Sequence, residues 1–260
     1  MNGVAGLLKG VPRGLWLPIA IVVIAQIAGS LIPGESMSLA PPLEIASAGY
    51  KLLADGTLLV ATGQTLLAAA FGLAAGGIPG LLIGVFLGRF RTIDRLMDFS
   101  IEVVRPIPPI ALLPIGLMVF GFGYQFEAAI IAFGVLWPIL VLTRNAIAGI
   151  EPQLLEFSAL LEMSSQDRTT KIILPAILPR LFVAFRLAAG IALILAVTVE
   201  ITINPLGLGR GIMLAGQSLE PAAMLAYLVW IGFIGIALNA SLLALQKRWF
   251  SHGPASRETP

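Results

Sequence analysis

The chain has 260 residues, of which 58% are hydrophobic and only 12% charged, and its mean hydropathy is +0.96. Ordinary soluble domains carry about 25% charged residues, and a chain of this length cannot hide so much apolar side chain in a water-surrounded core, so the solvent for much of the surface is lipid. A net charge of +2 excludes a broad basic surface for nucleic acid, and the lack of cysteine excludes disulfides, thiolate chemistry and cysteine-ligated metal.

In chain order, residues 1–15 form a short basic tail with Lys9 and Arg13, read as cytoplasmic. Residues 16–32 form a first apolar span, interrupted by Pro18, Gln26 and Ser30. No convincing small-residue cleavage site follows, so it reads as a retained helix rather than a signal peptide. Residues 33–62 make the longest outer segment. Within it, Pro42–Leu59 reads as an amphipathic helix ending near Gly56 and lying along the outer interface. The second span, 64–88, carries Gly72, Gly76, Gly80, Gly84 and Gly88 at four-residue intervals. Such stripes let helix backbones approach closely in lipid, so they speak of packing rather than function. Arg89, Arg91 and Arg95 then mark a basic turn.

The third span, about 97–122, contains Glu102, Arg105, Pro106, Pro108 and Pro109 and closes at Gly121–Tyr124. Prolines at this density cannot sustain a regular helix. Broken helix at membrane depth is tolerated where protein buries it or where it lines a cavity, so this stretch is a candidate for part of a translocation pathway. Spans at 126–144, opened by Glu127 and interrupted at Pro138, 181–203 and 222–245 follow, and 249–260 form a tail containing the single histidine, His252, read as solvated. The expectation is an all-α membrane protein, a six-helix bundle over 16–248 with both termini on one side. Arg89, Arg91, Arg95, Arg168, Lys171, Arg180, Lys247 and Arg248 fall in loops on that side, against Lys51 and Arg210 on the other. This asymmetry makes the arginine-rich side cytoplasmic.

The longest polar interval, 151–175, reads as two short helices meeting at a bend. Leu154, Leu155, Ala159 and Glu162 recur at helical spacing, and Ser164 with Asp167 resembles a fresh N-cap. Two readings stand: a surface loop lying on lipid headgroups, or a docking element for a partner. Among the charged groups, Arg105 lies roughly 12 Å into its span at 1.5 Å per residue. A charge at that depth faces a partner or a wet cavity: it either pairs with Glu102 or backbone carbonyls, or holds an anionic solute. Glu200 and Asn204, at the outer end of the fifth span, are read as a gate, a contact for a delivery protein, or a plain helix cap. Arg186 reads as an anchor or ion-pair member. No His-Glu-x-x-His or Gly-x-Ser-x-Gly motif supports an intramembrane enzyme.

The order Glu156, Ser158, Ala159, Glu162, Ile172, Leu174 and Pro175 resembles the loop signature of ATP-binding-cassette importer permeases. Phe157 and Ser158 depart from its alanine pair, and Glu162 replaces its glycine. The run Arg105–Ala111 with Pro114 and Phe120–Gly123 is similar to the third-span signature of the nitrate, sulfonate, taurine and bicarbonate branch. Asp55-Gly56, Pro138, Thr143, Asn145, Gly149, Arg186, Glu200 and Gly207–Gly209 fall at matching intervals. Glu127 departs from that branch, which more often has lysine there, and reverses a charge expected near the outer mouth.

The resemblance implies a type I importer permease fold in a bacterial plasma membrane, importing a small anionic solute by alternating access. It implies that Glu156, Ser158, Ala159, Glu162, Leu174 and Pro175 couple to a cytoplasmic ATPase dimer. ATP and magnesium would sit on that ATPase, with no cofactor on this chain, which has no phosphate-binding Gly-x-x-x-x-Gly-Lys loop. A second copy of the permease and an extracytoplasmic solute-binding protein complete the implied assembly. The alternative is a stand-alone channel or an ion-coupled secondary transporter, which inverted repeats with broken helices in both halves would favour.

Overall fold

A computed structural model describes residues 16–31 and 40–250, and every regular element among them is helical. The expected tails at 1–15 and 251–260 and the stretch 32–39 lie outside the described residues. Among the described residues, four helices are long and apolar enough to cross a membrane, or five if one bent pair counts as a single span. The described residues fall into two compact units, one of 16–31, 40–59 and 211–230 and one of 60–210 and 231–250.

In the first unit, α1 (Trp16–Leu31) has 16 residues, fewer than the roughly 20 that usually cross a bilayer. α2 (Pro42–Ala54) opens on a proline, whose missing N–H costs nothing at a helix start. The next free donor of that turn, the Leu43 N–H, is taken by Gln26 Oε1 of α1 at 3.0 Å. The helix expected to end near Gly56 stops at Asp55-Gly56, where Gly56 takes φ +80°, and Asp55 Oδ1 accepts the Thr57 N–H at 2.8 Å to start the next helix.

The second unit holds most of the core. α3 (Thr57–Arg89) lays its glycine stripe along α6 (Tyr124–Ala148). A Cβ added at Gly76 would overlap the Ala132 backbone. At Gly80 it would lie 2.7 Å from the Leu136 carbonyl, and at Gly84 2.7 Å from that of Leu140. α6 packs in turn against α9 (Leu174–Thr202), with Ile131, Val135 and Ile139 meeting Ala188, Ala192 and Ala196. Small residues again let two backbones close up where apolar burial supplies little driving force.

Where the sequence reads one third span, the chain bends by 77° between α4 (Arg91–Val104) and the pair formed by a 3₁₀ turn (Pro109–Leu112) and α5 (Leu113–Phe120). Pro106, Pro108 and Pro109 remove backbone donors and push the residues before them out of helical geometry. Pro109 rests against α6 at Gly134, where a Cβ would stand 3.1 Å from its ring. α4 is amphipathic rather than apolar, and its Asp94 and Asp98 clamp Arg144 of α6 at 3.2 and 2.7 Å.

The fifth span also differs from its expected limits of 181–203. It begins as α9 at Leu174, and the polar segment before it is helical too: α7 (Pro152–Leu160), α8 (Ser165–Arg168) and a π turn (Thr169–Ile173) lead into it. Leu174 and Pro175 therefore open the long helix. Pro175 withholds the N–H that an α-helix would give to Lys171, and a wider π turn absorbs the gap. α10 (Gly207–Gln217) and α11 (Pro221–Phe250) complete the described chain.

Candidate functional site

Two places gather the polar residues. The first is the α7–α8 hairpin. α7 ends with a Met163 N–H to Ser158 carbonyl bond of 3.1 Å around Glu162, whose φ is +48°. That is the left-handed helix end that normally favours glycine. Ser164 then caps α8: its Oγ accepts the Asp167 N–H at 3.1 Å and donates to Asp167 Oδ2 at 2.8 Å. Lys171 bonds the same carboxylate at 2.5 Å. Lys171 first, and the Ser164 hydroxyl second, hold the Asp167 carboxyl below its usual range. The hairpin is thus two helices at a fixed bend, with Arg89 of the α3–α4 turn donating to Ser165 Oγ at 2.9 Å.

On α7, Glu156 is exposed, as are Phe157 at 58% and Leu160 at 82%, while Ser158 is buried. Ala159 lies on the same helix. A carboxylate flanked by bare apolar side chains on a protruding turn is suited to a protein partner. Beside the hairpin lies a cavity of about 410 Å³ lined by Arg89, Arg91, Arg95, Arg144 and Arg168 against Asp94. Arg180 closes the end of α6 by donating to the Ala146 and Gly149 carbonyls at 3.2 and 3.0 Å. Arg186 donates to Gln246 at 3.2 Å, a hydrogen bond rather than an ion pair.

The second place is where the start of α6 meets the end of α9 and the start of α10. Asn204 donates from Nδ2 to Glu127 Oε2 at 2.6 Å and accepts the Gly123 N–H at 3.2 Å. The first N–H groups of α10 find side-chain acceptors in turn: Gly207 gives to Gln64 Oε1 at 2.9 Å, Leu208 to Thr65 Oγ1 at 2.9 Å, and Gly209 to Glu200 Oε2 at 2.8 Å. Glu200 therefore caps a helix, though not its own. A Cβ at Gly207 would fall on the Glu200 carboxylate, which explains the glycine there. Of the sequence-chosen pathway residues, Glu200 and Asn204 come together here, and Glu127 joins them. Glu127 is buried within the chain. Glu102, Arg105, Pro106 and Pro108 sit apart at the α4–α5 bend, all exposed, with Pro109 half-buried. No ion pair joins Glu102 to Arg105 among the described residues.

Long apolar helices, one broken at prolines, and a helical hairpin emerging between two of them define a multi-pass membrane protein. The chain belongs to the family described as binding-protein-dependent transport system inner membrane component, which it matches over residues 80–250. It resembles a putative aliphatic sulfonates transport permease of Bacillus subtilis (strain 168), at 29% identity over 91% of this chain and 86% of that one. A putative ABC transporter permease of Methanocaldococcus jannaschii is 30% identical over 76% of this chain and 75% of its own. A nitrate import permease of Leptolyngbya laminosa is 26% identical over 89% and 86%. Among solved structures, the inward-facing MetNI methionine ABC transporter shares the fold, with a TM-score of 0.56 at 17% identity over 80% of this chain and 96% of that one. The protein is an importer permease subunit of type I architecture.

Proposed function

We propose that this chain forms the membrane pathway of an ATP-driven importer for a small anionic solute, working by alternating access, and that its α7–α8 hairpin receives force from a cytoplasmic ATPase. The observation that carries this reading is the hairpin itself. Glu156 stands exposed among Phe157 and Leu160, and the helical run from Ser165 continues through the π turn into α9. A push on the hairpin is therefore delivered to the helix that ends at the Glu200–Asn204 cluster. Glu156 makes the charged contact on a helix that also carries Ala159 and the buried Ser158, Glu162 fixes the bend, and Leu174 and Pro175 join it to the span.

ATP and magnesium belong to the ATPase dimer, since this sequence lacks a phosphate loop. The anion class rests on relatives named for aliphatic sulfonates, nitrate, bicarbonate and taurine transport. A solute-binding protein delivers the anion on the far side, as the family description suggests. A second copy of the chain completes the pathway, which suits the exposed apolar residues of α11 such as Phe233 and Ile236. Counting α1 as a short sixth span leaves both termini cytoplasmic, in a bacterial plasma membrane.

Reconstitution with the cognate ATPase and binding protein tests the coupling role. Glu156→Lys is expected to abolish ATP-driven uptake while leaving the permease folded. Undiminished uptake by that variant overturns the assignment. Uptake by this polypeptide with no ATPase present favours the alternative of a stand-alone channel or an ion-coupled secondary transporter.

A further inference from the structure

The cluster at the start of α6 has two oxygens left over. Glu127 and Glu200 are exposed by only 1% and 0%. In each, Oε2 is taken, by Asn204 Nδ2 at 2.6 Å and by the Gly209 N–H at 2.8 Å respectively. In each, Oε1 is buried and meets no donor. The two carboxyl groups are neighbours, each in the other's electrostatic surroundings.

Two ionised carboxylates so placed would repel each other and leave two buried acceptors without a donor, each a cost folding normally avoids. One hydrogen between the Oε1 atoms removes both faults, because it makes one group a donor and the other its acceptor. A metal cation suits the place less well. Hard cations take about six or more oxygens, and here only the two Oε1 atoms are uncommitted.

We propose that Glu127 and Glu200 form a proton-binding site, in which Glu127 carries one proton on Oε1 and donates it to Oε1 of Glu200. The donor count sets the direction. Glu200 accepts from the first turn of α10, where backbone N–H groups and the helix dipole favour an anion, and the Thr65 hydroxyl of α3 lies beside it. Glu127 has a single neutral amide donor, Asn204. The titratable group acting on each member of the pair is the other member, so the missing hydrogen comes from solvent. The bound proton ties the first turn of α6 to the last turn of α9, where loss of it would drive the two helices apart.

Infrared spectroscopy of the complete transport complex in lipid nanodiscs, with isotope-labelled glutamate, tests the site. At neutral pH the wild type is expected to show a labelled carboxylic-acid carbonyl band. Glu127→Gln and Glu200→Gln are each expected to lose it, since an amide supplies the hydrogen and lets the remaining glutamate ionise. Both substitutions keep the shape of the side chain, and the unfolding midpoint of Glu127→Gln is expected within a few degrees of wild type. No acid band in the wild type, or a band that survives in both variants, overturns the proposal. So does a wild-type midpoint raised by added sodium, which would make the site a cation site instead.

Discussion

At Glu162 the backbone takes φ +48°, a conformation that costs a residue with a side chain about 1 kcal/mol relative to glycine. The surrounding contacts hold it there: the Met163 N–H closes on the Ser158 carbonyl, and Ser164 at once caps the next helix. Glu162→Gly should therefore raise the stability of the hairpin by up to about 1 kcal/mol, and Glu162→Val should lower it, because a β-branched residue is a worse fit to that region. Amide hydrogen exchange across 157–168 reads both. Unchanged exchange in both variants would mean that the bend stores no strain. This end was legible in the sequence because the loop signature places a glycine where Glu162 stands, and the Ser164 cap because its partner Asp167 is local. Glu127 was not legible in the same way. Its partner Asn204 is 77 positions away, and no local pattern announces a contact made by folding α9 back on α6. In the sequence Glu127 stands out only as a charge of unexpected sign.

The glycine stripe of α3 works at the scale of the element. Its four-residue period was visible in the sequence, whereas the identity of its partner, α6, was not, since small-residue faces fit many neighbours. The structure also separates glycines that period alone does not. Gly80 faces the Leu136 carbonyl, at 2.7 Å from an added Cβ, while Gly63 on the same helix has nothing within 4 Å. Gly80→Ala is expected to cost about 1–3 kcal/mol through overpacking. Gly63→Ala is expected to be neutral or stabilising by up to about 1 kcal/mol, the helix-propensity difference. Thermal unfolding of the purified permease, read by retention of its folded size-exclusion peak, distinguishes them. Equal effects would show that the α3–α6 contact is looser than these distances. The bend in the third span follows a different logic. The prolines foretold a break, but the angle of 77° depends on how Pro109 seats against Gly134 of α6, a contact between distant parts of the chain.

For the whole molecule the strongest constraint is the direction in which α9 crosses. Its 29 residues span about 44 Å at 1.5 Å per residue, more than the roughly 30 Å of a hydrocarbon core. If a helix of that length crosses the bilayer, the hairpin before α9 and the turn after it lie on opposite sides of the membrane. Arg89, Arg91, Arg95 and Arg168 line one cavity beside the hairpin, and an excess of arginine marks the cytoplasmic side. The chain has no cysteine, so single cysteines introduced at exposed positions report without interference. Gln153→Cys on α7 should react with a membrane-impermeant maleimide only after the cells are opened, and Pro205→Cys beyond α9 should react in intact cells. The reverse pattern would put the hairpin outside, beyond the reach of any ATP-consuming partner, and coupling through Glu156 would be lost with it. Labelling of both from one side would mean that α9 does not cross at all. Only the expected pattern agrees with both proposals, which put a proton shared by Glu127 and Glu200 at the outer end of α9 and a nucleotide-driven hairpin at its inner end.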